Sequence, residues 1–412
     1  MIDDCRNHDW QGFIDRVEGA PALQDSSCPG GLSLSEEGIL LNLSHWGWND
    51  RLAMDFADYA AGGCCAGRVV SVSREIYRVI TAQGECSAAL SGKLRFRAGS
   101  RSELPAVGDW VALSIPPSGR AAIAGILPRR SKFSRKAAGA VVEEQVIAAN
   151  IDYVFLLNAL NQDYNLRRLE RYLVLAWESG ARPVVLLTKA DLCADAAQKM
   201  AETAAVAAGA PVYLVSSVTG TGLSGLEQYL KAGLTVTLLG SSGAGKSTLL
   251  NRLAGCELQR IGAIRSGDDR GRHTTTRSDL FRLPGGALVI DTPGLRELQL
   301  WGGGSGLSET FEDLEAYAAR CRFNDCRHRD EPGCAVQEAL RSGALDRGRY
   351  ESYLKLQREM AYLERTRNRR AQMEEQARWK AISKAIRKNY KNKPAGEPLP
   401  AAGCSYGNMR SV

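Results

Sequence analysis

One stretch of the chain combines glycines, a lysine and hydroxyl groups at a spacing suited to binding phosphate. Glycines allow successive backbone N–H groups to turn inward around an anion. Lys246 can reach the β- and γ-phosphates of a nucleoside triphosphate, and the Ser247 hydroxyl can bind Mg²⁺. The stretch matches the phosphate-binding loop pattern G-x-x-x-x-G-K-S and consists of Gly240, Ser241, Ser242, Gly243, Ala244, Gly245, Lys246, Ser247 and Thr248.

A second motif has the chemistry to distinguish guanine from adenine. The Asp191 carboxylate can accept two hydrogen bonds from the N1 and N2 groups of guanine, whereas adenine presents an acceptor at N1 and no amino group there. The stem of Lys189 can lie against the base. A surface Lys-x-Asp turn is the alternative. We predict that the base is held by Thr188, Lys189, Ala190 and Asp191, with Ser216 and Ser217 as a companion loop.

Residues after the phosphate loop could complete the magnesium site. Asp291 ends an apolar run and is suited to hold Mg²⁺ through water, and Gly294 can offer its N–H to the γ-phosphate. A threonine within 274–276 can complete the metal shell, with Thr275 or Thr276 favoured. An ordinary polar loop is the alternative to this predicted switch segment.

A cluster of three cysteines and one histidine has the composition of a metal site. Cys321, Cys326, His328 and Cys334 give the spacing C-x₄-C-x-H-x₅-C. Three thiolates and one imidazole suit a closed tetrahedral zinc site, and four protein ligands leave no position open for catalysis. We predict one structural Zn²⁺, with a disulfide pair as the alternative.

The elements that must position these groups divide the chain into stretches of different character. Short β-like runs over 67–133, one of them at 93–96, predict a five-stranded barrel, and an OB-fold is favoured. Buried strands alternating with helices over 134–303 predict an α/β domain with a parallel sheet. An α-helical zinc-binding domain is predicted over 304–393. The other segments are a polar extension at 1–35, a helical lead-in at 36–66 and a disordered tail at 394–412.

The aromatic and basic residues of the barrel have two possible interpretations. Small barrels of this kind often bind nucleic acid, and the side chains of Tyr77, Arg95, Phe96 and Arg97 could contact it. Alternatively, the aromatic side chains form the barrel core.

Positive charge is concentrated near the C-terminus. The 412-residue chain has a formal net charge of +7, and residues 341–393 hold 16 Lys and Arg against 6 Asp and Glu, a net of +10. A polyanionic partner should therefore bind mainly there. We favour contact with RNA phosphates over a solvated helix face.

Features of membrane and secreted proteins are missing from the sequence pattern. The first residues show no basic region followed by an apolar core, so we expect no signal peptide, and no apolar run approaches the roughly 20 residues that span a bilayer. Most of the 11 cysteines are scattered, as is typical of reduced thiols. We expect a cytoplasmic monomer with no membrane partner.

The order of the nucleotide motifs is reversed relative to ordinary GTP-binding domains, in which the phosphate loop comes first. Here the motif at 188–191 and the companion loop precede the phosphate loop, and Asp291 comes last. This order predicts a circular permutation, which is tolerated because domain termini often lie close together.

Taken in order, T-K-A-D, S-S, G-S-S-G-A-G-K-S-T, G-R-H-T-T-T and D-T-P-G resemble the circularly permuted, ribosome small subunit-dependent GTPase A family of bacteria. The similarity runs from about residue 40 to about residue 390 and includes L-S-H-W-G-W-N at 43–49 and the cysteine cluster. It implies an OB-fold, a permuted GTPase domain and a zinc domain, with a late role in assembly of the small ribosomal subunit. The implied partners are GTP or GDP, the 30S subunit and its 16S rRNA.

The residue that positions the attacking water is not the usual glutamine. Leu295 follows the D-T-P-G motif, and the family shares this lack of a glutamine. We hypothesise that His273, in the predicted switch loop, positions the water once a partner orders that loop. A structural or ribosome-contacting role for His273 is the alternative.

The sequence thus favours a GTP hydrolase that binds the small ribosomal subunit, with hydrolysis driving its release. Two other classes stay open: a GTP-regulated RNA-binding switch with negligible turnover, and a P-loop metabolic kinase.

Overall fold

The computed structural model describes residues 41–73, 75–116, 120–137, 143–255, 278–291, 300–301 and 305–366. The chain divides into two compact units, Met1–Met360 and Ala361–Val412. The described part of the second unit, 361–366, is helical. Most of the basic segment and the extensions predicted at 1–35 and 394–412 lie outside the described residues.

The strands of the described residues are β1 (Cys65–Ser73), β2 (Ile76–Thr81), β3 (Gly84–Leu90), β4 (Trp110–Ser114), β5 (Ala121–Ile126), β6 (Lys132–Lys136), β7 (Glu144–Ala149), β8 (Tyr153–Ala159), β9 (Arg182–Thr188), β10 (Val212–Val215), β11 (Thr235–Gly240), β12 (Asp279–Arg282) and β13 (Leu288–Asp291). The helices are α1 (Asp50–Ala61), α2 (Gly92–Arg97), α3 (Leu166–Ser179), α4 (Ala196–Val206), α5 (Lys246–Ala254), α6 (Ser305–Thr310), α7 (Glu312–Ala318) and α8 (Ala335–Ser342). Residues 347–360 are also helical. None of the described helices is both long enough and apolar enough to cross a bilayer.

Five strands close into a barrel near the start of the described chain. Strand β1 pairs with β2 and with β4, β2 pairs with β3, β3 pairs in parallel with β5, and β5 pairs with β4. The interior is filled by small and branched apolar side chains, which suit a narrow barrel. They include Val69, Val79, Val111, Leu113 and Ile123. The predicted five-stranded OB-type barrel is confirmed.

One predicted barrel strand is wrong. Residues 93–96 lie in the short helix α2, and the fifth strand is β5. The reason is a helix cap: the Ser91 hydroxyl oxygen accepts a hydrogen bond from the Leu94 N–H at 3.1 Å, which satisfies a donor that a helix start leaves free. An alternating run of four residues fits a short helix as well as a strand.

Of the two interpretations of the barrel aromatics, the structure supports a core role for Tyr77 and an exposed position for Phe96. Tyr77 is buried in the barrel core, whereas the Phe96 side chain is 91% exposed. Arg95 forms an ion pair with Glu75 at 2.6 Å. Of these two aromatic side chains, therefore, only that of Phe96 is exposed enough to contact a nucleic acid.

The tryptophan-containing segment before the barrel packs against it. The ring of Trp48 contacts that of Trp110 edge-on, with centroids 4.9 Å apart, and that of Phe56 at 5.8 Å. Trp110 lies in β4 and is fully buried. Aromatic edge-to-face contacts of this kind hold α1 on the outside of the barrel.

Six of the strands that follow the barrel form a mixed sheet with the order β10-β9-β8-β11-β13-β12. Its first five strands are parallel, and β12 runs antiparallel to β13. The central strands are rich in Val and Leu because both of their faces are covered. A single pairing, Ser71 with Asp279, continues this sheet into β1 of the barrel.

A buried arginine ties the barrel to the parallel sheet. Arg68, in β1, is 1% exposed and lies 5.5 Å from the centroid of the Trp110 ring. Burial lowers the pKa of Arg68 to about 10, which leaves the guanidinium charged at neutral pH. The guanidinium donates to Gly108 O at 3.3 Å, Asn150 O at 3.2 Å, Thr235 Oγ1 at 2.9 Å and Trp46 O.

We predict that Arg68→Met lowers the free energy of unfolding by about 3–5 kcal/mol, because three buried carbonyl groups each lose a hydrogen bond from the guanidinium while the volume is nearly kept. Chemical denaturation measures this change. Arg78→Met is the control, since Arg78 pairs with Glu85 at a partly exposed site on the adjacent strand; it should cost less than about 1 kcal/mol. Equal losses in the two variants would contradict the prediction.

Candidate nucleotide site and metal centre

The predicted nucleotide motifs meet at one edge of the parallel sheet. Strands β8, β9, β10, β11 and β13 run in the same direction, so the loops that follow them lie at their carboxyl ends. This is the edge at which open α/β sheets bind ligands.

The phosphate loop connects β11 to α5. Gly240 cannot carry a side chain, because a Cβ there would lie 2.7 Å from Leu157 O on the neighbouring strand. Gly243 and Gly245 have φ values of +73° and +93°, a backbone region that favours glycine. The Lys246 ammonium donates to Gly240 O at 2.7 Å and Ser241 O at 2.6 Å, so it lies over the loop.

Helix α5 begins at Lys246, with Ser247 and Thr248 in its first turn. The free backbone N–H groups and the positive dipole end of a helix favour an anion at this point. Leu249 and Leu250 are buried against the sheet, which fixes the direction of the helix. The loop and helix therefore have the backbone arrangement that the phosphate-loop motif predicts.

The base-reading motif is bonded directly to the phosphate loop. Thr188, the last residue of β9, is buried, and its hydroxyl donates to Ala244 O at 2.7 Å. Lys189 follows with a left-handed backbone, φ 59°, and a single turn of helix spans Ala190–Leu192. This turn leaves Asp191 exposed, as a carboxylate that receives a ligand must be.

The companion loop after β10 is a tight turn. Ser216 is buried, its N–H donates to Thr221 O at 3.0 Å, and its carbonyl accepts from Gly220 N at 2.9 Å. The Ser216 hydroxyl oxygen accepts from Thr219 N at 3.2 Å. Ser217 is half-buried at the rim of this turn. The loop therefore has a fixed backbone before any ligand binds.

Asp291 is the last residue of β13 and is half-buried. It pairs with Asp279 on the neighbouring strand β12. Strand β13 is also tied to β11 by a hydrogen bond from the Thr237 hydroxyl to Ile290 O at 2.8 Å. Asp291 thus lies on the strand next to the one that leads into the phosphate loop. The predicted residues His273, Thr275, Thr276 and Gly294 lie outside the described residues.

One residue of this edge was missed by sequence reasoning. Asp163, in the loop after β8, accepts a hydrogen bond from the hydroxyl of Ser241 in the phosphate loop. Its position after a buried parallel strand next to β11 is a signal that could have identified it.

The cysteine cluster has the geometry of a tetrahedral metal site. The ligand atoms of Cys321, Cys326, His328 and Cys334 all lie within 4.8 Å of one another. Cys321 Sγ is 3.9 Å from Cys334 Sγ and 3.5 Å from His328 Nδ1, and Cys334 Sγ is 3.6 Å from the same nitrogen. A tetrahedral ion with Zn–S bonds of about 2.3 Å places two sulfurs about 3.8 Å apart, so the donor set fits zinc.

The disulfide alternative does not fit this cluster. Its three cysteines are free, and the 3.9 Å between Cys321 and Cys334 sulfurs is nearly twice the length of a disulfide bond.

The backbone around His328 is held for ligation. His328 has φ 57°, and its carbonyl accepts from Gln337 Nε2 at 2.5 Å and Tyr350 Oη at 2.8 Å. Cys334 caps α8 by accepting from Gln337 N at 3.5 Å. These contacts orient the ligands from outside the first coordination sphere.

The thiols of the cluster ionise unequally. Burial raises the pKa of Cys326 to about 11, and the neighbouring thiols of Cys334 and Cys321 add to this rise. Burial also opposes ionisation of Cys321, but hydrogen bonds from the Val336 and Ala335 N–H groups outweigh it and lower its pKa. A bound divalent cation would favour the thiolate at every position.

Comparison with known proteins places this geometry in a family. The model of the RsgA GTPase family matches residues 126–301. A relative from Opitutus terrae, named small ribosomal subunit biogenesis GTPase RsgA, is 47% identical over 352 residues, which cover 83% of this chain and 96% of the relative. The chain belongs to the RsgA GTPase family.

Solved structures agree with this assignment. The crystal structure of YjeQ from Thermotoga maritima matches with a TM-score of 0.54 and 29% identity, over 72% of this chain and 99% of that one. The crystal structure of YloQ, a circularly permuted GTPase, matches with a TM-score of 0.52 at 23% identity, over 74% of this chain and 96% of that one. At that identity the second similarity shows the fold alone.

Membership of the RsgA family confirms the resemblance that the motifs indicated, and the fold class with it. The structure brings the predicted base-reading loops and the phosphate loop to one edge of the sheet, with Asp291 on the adjacent strand. The four predicted zinc ligands lie together at a separate place in the chain.

Proposed function

We propose that the chain hydrolyses GTP and acts in assembly of the small ribosomal subunit. The hydrogen bond from the Thr188 hydroxyl to Ala244 O supports the proposed GTP binding, because it joins the predicted guanine-reading turn to the phosphate loop. The ribosomal part rests on the family, whose members are named small ribosomal subunit biogenesis GTPases.

The proposal assigns separate roles to the predicted residues that would contact the base, the phosphates and the magnesium ion. The Asp191 carboxylate accepts from the guanine N1 and N2 groups, and Lys246 neutralises phosphate charge. Ser247 and Thr275 would hold Mg²⁺, and Asp291 would contact it through water. When bound, Mg²⁺ neutralises charge on the β- and γ-phosphates. Gly294 senses the γ-phosphate, and His273 positions the attacking water.

The metal cluster serves as a structural zinc site. Four protein ligands fill a tetrahedral ion, so the site fixes the segment 321–334 and offers no position to a substrate. This segment lies between the nucleotide domain and the basic stretch 341–393, which is suited to phosphates of 16S rRNA.

Hydrolysis would release the protein from the 30S subunit by changing the segment after Asp291, which adjoins the zinc-binding domain in the chain. We also propose that the protein is a cytoplasmic monomer with domains at 36–66, 67–133, 134–303 and 304–393. A GTPase assay with and without purified small subunits, over a salt series, tests it. Stimulation that weakens with salt is expected, since counterion release drives RNA binding.

The same assay separates the competing functions. Undetectable turnover with small subunits present would favour an RNA-binding switch. Equal use of ATP and GTP would favour a metabolic kinase, which has no need of the guanine-reading carboxylate.

We predict that Asp191→Asn reverses the choice of base. An asparagine amide accepts one hydrogen bond and donates another, whereas both guanine groups donate. Xanthine carries a carbonyl at position 2, so the preference for GDP over XDP should shift toward XDP by about a hundredfold or more. Calorimetric titration measures both affinities. Asp195→Asn, an exposed aspartate in the same segment, is the control, and an unchanged preference in Asp191→Asn would contradict the role.

We predict that Cys326→Ser abolishes zinc binding, because a hydroxyl is a poor replacement for a thiolate ligand. The native chain should contain one zinc ion by elemental mass spectrometry, and the variant almost none. Protease cleavage within 321–334 should also accelerate, since the segment depends on the metal for order. Cys193→Ser, a free cysteine remote in sequence from the cluster, is the control. Full zinc content in Cys326→Ser would rule out this ligand set.

We predict that His273→Ala slows hydrolysis stimulated by small subunits by about a hundredfold, the contribution of one general base or water-positioning group. GDP affinity should be unchanged. Single-turnover hydrolysis with and without subunits provides the measurement. His45→Ala is the control, because His45 is an exposed histidine of the lead-in segment. Equal rates for His273→Ala and the native chain in both conditions would remove the hypothesis.

A further inference from the structure

The loop that follows β8 touches the phosphate loop through one side chain. Asp163 Oδ2 accepts a hydrogen bond from the Ser241 hydroxyl, the second residue of the phosphate loop. None of the sequence motifs includes Asp163. The contact fixes the loop on the side where it leaves β11.

The carboxylate of Asp163 is itself held in place. Its Oδ1 accepts from Arg168 Nη1 at 2.9 Å, and its backbone carbonyl accepts from Arg168 Nη2. Its N–H donates to Asn161 Oδ1 at 3.0 Å. Each carboxylate oxygen thus has its own partner, and the arginine leaves Oδ2 available to Ser241.

The neighbouring residues attach the same loop to other elements of the site. The Tyr164 hydroxyl lies 3.1 Å from Lys199 O and 3.0 Å from Thr203 Oγ1, both in α4, which follows the base-reading motif. Asn165 caps α3 by accepting from Arg168 N at 2.9 Å. The loop therefore joins the phosphate loop to the helix behind the base-reading turn.

Helix α3 is anchored along its flank as well. Arg171 forms two hydrogen bonds with Glu359, at 2.5 and 2.8 Å. The buried Glu170 accepts from Arg167 at 2.5 Å and from Arg349 at 3.1 Å, and Arg349 also binds Asp313. A helix held by several ion pairs gives Asp163 a rigid support.

We propose that Asp163 is a positioning residue for the phosphate loop. By holding Ser241, it keeps the loop in the shape that points its N–H groups at phosphate before the nucleotide arrives. A pre-ordered loop pays less conformational entropy on binding. This inference rests on the proposed GTP site and adds a residue to it.

The test measures GDP affinity by calorimetric titration for Asp163→Ala, Ser241→Ala and the double variant. Each single variant should weaken GDP binding about tenfold, the effect of one hydrogen bond to a charged acceptor. The double variant should be no weaker than either single one, because both remove the same contact. Asp163→Asn should bind GDP with an affinity between those of the native chain and Asp163→Ala, since its single amide oxygen can accept from Ser241 or from Arg168 but not from both.

Turnover separates positioning from a general structural role. In Asp163→Ala the KM for GTP should rise about tenfold while kcat stays unchanged, the pattern expected when ground-state and transition-state binding fall equally. Glu85→Ala is the matched control, because its carboxylate also pairs with an arginine but lies in the barrel.

Native affinity in Asp163→Ala, or losses that add in the double variant, would overturn the inference. So would an Asp163→Asn variant that binds GDP more weakly than Asp163→Ala. If the native chain itself failed to bind GDP, the proposed function would fail instead, so the two failures are distinguishable.

Discussion

Parallel pairing of five strands is the constraint on which the nucleotide site depends. Strands β8, β9, β10, β11 and β13 share one direction, so each delivers its following loop to the same edge. Hydrogen bonds between the loops, such as the one from the Thr188 hydroxyl to Ala244 O, then hold the loops against one another at this edge. The backbone pairing brings the loops together, and the hydroxyl groups set their relative positions.

Parallel pairing fixes the direction of each strand but does not require the strands to follow one another in any particular order along the chain. A loop can precede or follow its neighbours in sequence and still reach the same edge, which is why the permuted order of motifs is compatible with the site. What permutation changes is the element that the chain enters next. In this chain, Asp291 is followed closely by α6, α7 and the cysteine cluster.

The sequence predicts the parallel sheet, the positions of its loops and the grouping of the cysteine cluster because their signals are local. Buried runs of Val and Leu identify strands such as β9, and glycine, lysine and cysteine spacing identifies the loops. The helix α3 and its end at Gly180 follow from apolar periodicity and a left-handed C-cap.

The remaining features depend on contacts between residues far apart in the chain. Residues 93–96 alternate as a strand does, but a capping serine makes them helical. Arg68 resembles any strand arginine in sequence, and only the assembled barrel and sheet show that its guanidinium is enclosed. Asp163 lies in an unremarkable polar turn, and its partner Ser241 is 78 positions later.

The pairing of Ser71 with Asp279 has a mechanical meaning, because it makes the barrel wall and the nucleotide sheet one hydrogen-bonded surface. A barrel joined to the sheet by this pairing pivots less freely than one joined by a flexible linker alone. Any displacement of the barrel by a docked partner would have to twist β12, and through it β13, whose last residue is Asp291. Force applied to the barrel would thus reach the strand end at Asp291 as torsion.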